Sequence, residues 1–357
     1  SYQTGLSNPL DEAIQAHAAQ LGVDIAAERK VDEIPYDFVR KRLSVITQDD
    51  ERCTLITKGA LEAVLAICTM IQQGDVATPL DAATRDALQQ RYVAWSTEGF
   101  RVLGIASKSV SRQTTYTVTD EQALTFLGFL IFFDPPKPGV DETLAALRRL
   151  GVQLKIITGD NRQVARHVAT TVGLPVTGVI TGAQLATLHD EALWHLAPQT
   201  TLFAEVDPNQ KERIINALGK MGHVVGYMGD GINDAPALHA ADVGISVDTA
   251  VDVAKEAADF VLLENTLTVV VAGIEEGRRT FANTLKYIFT TTSANFGNMV
   301  SMAGASLFLP FLPLLAKQIL LNNFLSDIPG IAIAGDNVDP ELVQTPHRWD
   351  IRFIRRF

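Results

Sequence analysis

Ten consecutive residues, Gly229-Asp230-Gly231-Ile232-Asn233-Asp234-Ala235-Pro236-Ala237-Leu238, constrain this chain more than any other stretch. They follow an apolar run, His223 to Met228, that reads as a strand, and they put two carboxylates and a carboxamide on a tight turn. Gly229 and Gly231 let the backbone turn where a Cβ would clash. Mg²⁺ takes oxygen ligands and a phosphate needs close backbone donors, so a strand ending in such a turn fits phosphoryl transfer.

The surrounding pattern agrees. From Val140 apolar runs alternate with amphipathic ones: helix Val140 to Leu150, strand Val152 to Ile157, helix Gln163 to Val172, and a short strand near Val179. Helix Asp190 to Leu196, strand Thr201 to Ala204 and helix Asn209 to Met221 follow, then the strand ending at Met228, a helix from Ala235, and strands Val243 to Ser246 and Phe260 to Leu263. Strands separated by helices imply a parallel, Rossmann-like α/β sheet with ligands beyond the strand C-terminal ends. Thr158-Gly159-Asp160 ends one of those strands, and Lys211 lies on the first turn of the helix after Pro208. A Thr158 hydroxyl suits a phosphoryl oxygen, Lys211 suits its charge and Asp230 suits Mg²⁺; taken singly, Thr-Gly-Asp is also a strand-to-helix turn capped by Asp160, and Lys211 a solvated lysine.

Residues 1–132 read as an α+β unit. Leu10 to Leu21, Leu61 to Ile71 and Asp81 to Glu98 predict helices; Arg42 to Ile46, Cys53 to Thr57, Val102 to Lys108 and Phe126 to Phe133 predict strands; Ser109 to Thr119 predicts a loop. Asp134-Pro135-Pro136-Lys137-Pro138 then stiffens the crossing and reads as a hinge. Net charge −11 offers no global field for nucleic acid, and Cys53 and Cys68 have neither metal-ligand spacing nor a disulfide framework. No basic-then-apolar signal segment opens the chain.

Tyr287 through Ala316 carries no charged side chain, longer than the ~20 residues that span a bilayer, and a second apolar stretch runs from about Leu314 to Gly335. Arg278, Arg279 and Lys286 lie before them and Arg348, Arg352, Arg355 and Arg356 after, so both ends read as cytoplasmic and the pair as a transmembrane hairpin. The expected organisation is a nucleotide-binding domain at 1–132, a phosphorylation domain at 133–265, a stalk helix at 266–286, two membrane helices at 287–335 and a cytoplasmic tail or loop at 336–357.

The Gly229 to Leu238 string, Thr158-Gly159-Asp160 and Lys211, in this order along one parallel sheet, resemble the phosphorylation domain of P-type cation-transporting ATPases, a haloacid-dehalogenase-like fold. The resemblance covers essentially the whole chain. It implies a catalytic set of Thr158, Gly159, Asp160, Lys211, Asp230, Asn233 and Asp234, with Asp230 and Asp234 at the catalytic Mg²⁺. Tyr36-Asp37-Phe38 followed by Arg40-Lys41-Arg42-Leu43-Ser44-Val45 looks like the nucleotide-domain segment whose aromatic stacks on adenine, Tyr36 aligning best and Phe38 being the alternative. Lys58-Gly59-Ala60 looks like the motif whose lysine lines the ATP pocket, Arg101 matches an arginine reaching the phosphates, Asp11 stands where the family has a glutamate near adenine, and Asp134 and Lys137 match its hinge. The family's phosphorylated Asp-Lys-Thr-Gly-Thr motif occurs nowhere in these residues, which predicts that this polypeptide alone binds ATP without turning it over.

Asn295 and Asn298 share a helix face, as do Asn323, Ser326 and Asp327 just before Pro329-Gly330, expected to break the helix. These five resemble the family's transported-cation site. An intramembrane carboxylate is costly, which marks Asp327 as functional, and polar side chains there also serve as glue between helices. The absence of Cys-Pro-Cys argues against soft heavy metals, while one carboxylate among neutral oxygens suits a partly hydrated ion such as Mg²⁺. Phe132-Phe133-Asp134-Pro135-Pro136-Lys137, Ser293 to Asn298 and Thr345 to Asp350 resemble bacterial magnesium-transporting members. What this implies is an ATP-driven Mg²⁺ translocase in the plasma (inner) membrane, multi-pass, with residues 1–286 cytoplasmic and ATP, a divalent cation and the lipid bilayer as partners. The alternatives are a Ca²⁺ or H⁺ pump, a soluble phosphatase of the same fold, and a non-catalytic nucleotide-binding pseudo-pump.

Overall fold

A computed structural model describes residues 9–22, 29–37, 39–49, 52–264, 266–311, 313–349 and 352. The chain divides into two compact units, one of Ser1–Lys137 with Lys155–Gly244, the other of Pro138–Leu154 with Ile245–Phe357.

The first unit opens on helix Pro9–Gln20 and then builds a seven-stranded sheet. Its strands are β1 (Arg29–Asp37), β2 (Arg42–Gln48), β3 (Cys53–Gly59), β4 (Cys68–Gln73), β5 (Val76–Pro79), β6 (Arg101–Val110) and β7 (Leu124–Phe132), in the order β1-β2-β3-β6-β7-β4-β5. All neighbours are antiparallel except β4 and β7. In β3 every second side chain is buried, the period of a half-buried strand, and Ile46, Leu55, Leu61, Val64, Leu124 and Phe126 join one core. Burying each such side chain is worth about 1.5–3 kcal/mol.

The apolar run from Leu61 predicts one helix to Ile71, but the helix stops at Leu65 and Cys68–Gln73 forms β4. The reason is tertiary: β4 pairs with β7, and the Arg85 guanidinium satisfies Leu65 O at 2.6 Å at the helix end and Cys68 O at 2.7 Å at the start of β4. Helix Ala82–Thr97 starts as expected, with Asp81 accepting from Thr84 N–H at 2.8 Å.

The rest of the first unit alternates strand and helix. β8 (Ile156–Ile157), β9 (Val179–Thr181) and β10 (Leu202–Ala204) form a parallel sheet in the order β8-β10-β9, with helices Arg162–Thr171 and Pro208–Lys220 following β8 and β10. Phe203, Ile214, Leu185 and Leu193, all fully buried, make its core. β11 (Gly226–Met228) ends at the Gly229 turn. β12 (Val243–Val247) starts in this unit, where Asp242 and Val243 donate to Val225 O at 2.9 and 3.2 Å. In the second unit Ile245 to Val247 pair in parallel with β13 (Phe260–Leu262). The alternation predicts one parallel sheet; the ladders instead make two three-stranded sheets.

The second unit holds helix Val140–Arg149, the long helix Thr268–Phe308 and helix Ala316–Ala332. Arg278 donates to Val343 O and Gln344 O at 2.9 Å, and Lys286 to Asp336 at 2.9 Å, tying residues 336–344 to the long helix. The expected stalk and the first apolar stretch lie on one continuous helix. The expected transmembrane hairpin does not emerge: among the described residues no helix is long and apolar enough to cross a membrane. Freedom from charge is not hydropathy: Thr290 to Asn298 is mostly Thr, Ser, Asn and Gly, and the second helix has 17 residues including Lys317 and Asp327. Nor does Pro329-Gly330 break the second helix, which carries Pro329 inside it to Ala332 and then tightens to a 3₁₀ turn at Ile333–Gly335.

Candidate active site

The Gly229 turn is closed by its own last carboxylate. Asp234, 8% exposed, ends the 3₁₀ turn Ile232–Asp234 and folds back so that its Oδ2 accepts from Gly231 N–H at 3.1 Å. Its Oδ1 accepts from Lys211 Nζ at 2.7 Å and from the Tyr227 hydroxyl at 2.6 Å. Burial works to raise the Asp234 carboxyl, but these hydrogen bonds and the Lys211 charge hold it below its ordinary value. Tyr227 is pushed up by burial and by the carboxylate it donates to. Gly229 is required by this fold-back, since a Cβ there would strike Asp234 Cβ and stand 2.7 Å from its Cγ. Gly231 is not required on that ground, because its Cβ would meet Asp234 Oδ2 at an ordinary 3.4 Å.

Asp230 sits exposed on the same turn and Asn233 is half-buried. Mg²⁺ fits Asp230, a hard anionic oxygen donor open to solvent, better than Asp234, whose oxygens already serve Lys211, Tyr227 and Gly231. Among the described residues no three His, Cys, Asp or Glu side chains gather as a metal cluster.

Thr158 follows β8, its N–H donating to Phe203 O at 2.9 Å and its Oγ1 accepting from Asp160 N–H at 3.1 Å. That leaves the hydroxyl proton free to donate. Gly159 is exposed between them. Asp160 does not cap the next helix: Asn161 does, accepting from Gln163 N–H at 2.8 Å, and Asp160 instead pairs with Arg101 at 2.9 Å.

On the seven-stranded sheet the Lys58 ammonium donates to Asp11 of the first helix, both largely buried. Gly59 is bound to its place, because a Cβ there would stand 2.5 Å from Lys41 O. Tyr36 remains 43% exposed; burial still raises its phenol, with the Arg101 charge pulling it the other way. Phe38 lies outside the described residues. Asp134 and Lys137 are exposed in a segment without regular secondary structure, with the border between the compact units directly after Lys137. In the second unit Asn295, Asn323, Ser326 and Asp327 are exposed and Asn298 half-buried, Ser326 bonding Asn322 O at 2.8 Å.

Sequence reasoning missed Tyr227 and Glu121. Tyr227 carries a faint signal, a hydroxyl-bearing residue inside the strand that feeds the turn. Glu121, itself fully buried and paired with the part-buried Arg40 and Arg42, follows Asp120 just before the apolar run of β7 and has no distinguishing signal in the sequence.

A P-type ATPase cytoplasmic domain N is matched over residues 4–139, and a haloacid dehalogenase-like hydrolase over residues 210–274. With the sheets and the closed Gly-Asp turn already described, the chain belongs to the P-type ATPases. It is 46% identical over 360 residues to the magnesium-transporting ATPase, P-type 1, of Escherichia coli K12, covering all of this chain and 40% of that protein. A protein of the same description from Salmonella typhimurium LT2 is 47% identical over 365 residues, again all of this chain and 40% of the relative. The calcium-transporting ATPase 1 of Bacillus cereus is 32% identical over 89% of this chain and 36% of its own length. The chain therefore spans about 40% of the length of the magnesium-transporting relatives.

Proposed function

We propose that the whole protein is an ATP-driven pump that moves Mg²⁺ across a membrane through an aspartyl-phosphate intermediate. The observation that carries this reading is similarity to magnesium-transporting P-type ATPases along the entire chain, at 46–47% identity against 32% for the Bacillus calcium-transporting relative. Tyr36, Lys58, Gly59, Arg101 and Asp11 take ATP, Tyr36 offering an exposed ring for adenine and the two cations serving phosphate oxygens. Asp134 and Lys137 flank that site as a hinge. Thr158 donates its hydroxyl to a phosphoryl oxygen; Lys211 has two N–H donors left after Asp234 and neutralises charge there. Asp230 would hold the catalytic Mg²⁺, beside Asn233 and on a turn that Asp234 closes, and the ion would neutralise charge building up on the transferred group.

Asn295, Asn298, Asn323, Ser326 and Asp327 form the transported-ion site in this reading, on two helices that pack among other helices of the whole protein within the plasma membrane, residues 1–286 facing the cytoplasm. Too many polar side chains line them for either to cross alone. The test uses the whole protein in vesicles. Asp327→Asn is expected to abolish Mg²⁺-stimulated ATP hydrolysis with ATP binding intact, and Asn298→Ala to weaken ion affinity less, as one neutral ligand. Unchanged Mg²⁺ uptake in Asp327→Asn places the ion elsewhere; turnover that follows Ca²⁺ or a proton gradient replaces the ion and keeps the pump.

A further inference from the structure

The candidate nucleotide residues lie on separate pieces of chain, Tyr36 near the end of β1 and Lys58-Gly59 at the end of β3. A carboxylate from a third piece joins them. Glu121 precedes β7, and its side chain is fully buried. Its Oε1 and Oε2 accept from Arg40 Nη1 at 2.9 and 2.8 Å, its Oε2 also from Arg42 Nε at 2.8 Å, and its Oε1 from Ser44 Oγ at 2.7 Å.

Each partner continues outward to the site. Arg40 Nη2 donates to Pro35 O at 2.8 Å, the carbonyl next to Tyr36. Arg42 Nη1 donates to Ala63 O at 3.2 Å, in the helix that begins right after Lys58-Gly59-Ala60. Ser44 Oγ lies 2.7 Å from Thr57 Oγ1, and Thr57 is the neighbour of Lys58. Between the two arginines Lys41 is held at φ 52°, and its carbonyl accepts Ala60 N–H at 3.0 Å, the contact that leaves Gly59 no room for a Cβ. A left-handed lysine is strained, so the arms that hold it have a task beyond filling space.

Resting on the nucleotide reading of Tyr36 and Lys58, we propose that Glu121 is a positioning residue for ATP. It sets the adenine-side arm through Arg40 and the phosphate-side arm through Arg42, Ser44 and Thr57. A buried ion cluster kept only for stability exchanges for apolar groups with little loss; one that aims two arms does not.

The test titrates the chain with ATP and follows displacement of a fluorescent ATP analogue by adenosine and by tripolyphosphate. Glu121→Gln should weaken ATP on the order of tenfold, since it frees both arginines from a charged acceptor. Arg40→Met should cost adenosine more than tripolyphosphate, and Arg42→Met the reverse. A purely structural Glu121 would lower the melting temperature and leave the Kd of the folded protein and the adenosine-to-tripolyphosphate ratio untouched, which overturns the proposal. If Glu121→Gln does not fold, Glu121→Asp takes its place, its shorter arm unable to serve both arginines; wild-type Kd in that variant equally overturns it. Failure of the wild-type chain to bind ATP removes the nucleotide reading itself, a result distinct from a wild type that binds and variants that match it.

Discussion

Asp234 closes a turn, pairs a lysine and takes a tyrosine hydroxyl with one carboxylate. The pair it makes with Lys211 leaves either side chain only about a tenth exposed. Removing one partner strands the other, so Asp234→Asn is expected to cost roughly 3 kcal/mol near neutral pH. The sign of its pH dependence follows from the lowered carboxyl. The stabilisation is complete above the ordinary aspartate value of about 3.9 and is lost as pH falls through the lower folded value. The difference in unfolding free energy between wild type and Asp234→Asn should therefore hold from pH 7 down to about 4 and shrink below that. Denaturant unfolding at several pH values measures it, and a gap that stays constant down to pH 2 contradicts the assignment.

At the scale of elements, the Gly229 turn separates two glycines that look equivalent in sequence. A Cβ at Gly229 meets an Asp234 that cannot yield, whereas one at Gly231 has ordinary room. Gly229→Ala is expected to lose about 1–3 kcal/mol by overpacking and Gly231→Ala under about 1. Equal losses in thermal melts would show that the turn relaxes and that Asp234 is not pinned. The helix expected from Asp81 begins at Ala82 with Asp81 itself as its cap, whereas at the end of β8 the cap belongs to Asn161 and the expected cap Asp160 is drawn to Arg101. The end of the helix at Leu65 was unreadable because Arg85, which satisfies the Leu65 carbonyl there, comes from another helix.

At the scale of the whole molecule, Tyr36, Lys58 and Arg101 lie on the seven-stranded sheet, while the Gly229 turn follows β11, which is not part of it. In the whole pump, Asp230→Asn is accordingly expected to abolish phosphoenzyme formation from ATP while ATP affinity stays within about twofold, since Asp230 is exposed and buries no partner. Labelling with γ-phosphate-labelled ATP beside a binding titration checks both halves, and normal phosphoenzyme in the variant would refute the metal role of Asp230. By itself the sequence determined what consecutive residues can settle: the Gly-Asp turn after a strand, the alternation of strand and helix past the hinge, and membership of a family through unbroken strings. Tertiary structure alone decided that Asp234 meets Lys211 and Tyr227, that Lys58 meets Asp11, and that Glu121 reaches back to Arg40 and Arg42. It also decided that a single helix, Thr268–Phe308, carries both the expected stalk and the first apolar stretch. Turn and cap chemistry acts over a few residues and is written in their order, whereas these pairs span up to 81 positions and exist only once ladder register and helix packing have brought the side chains together.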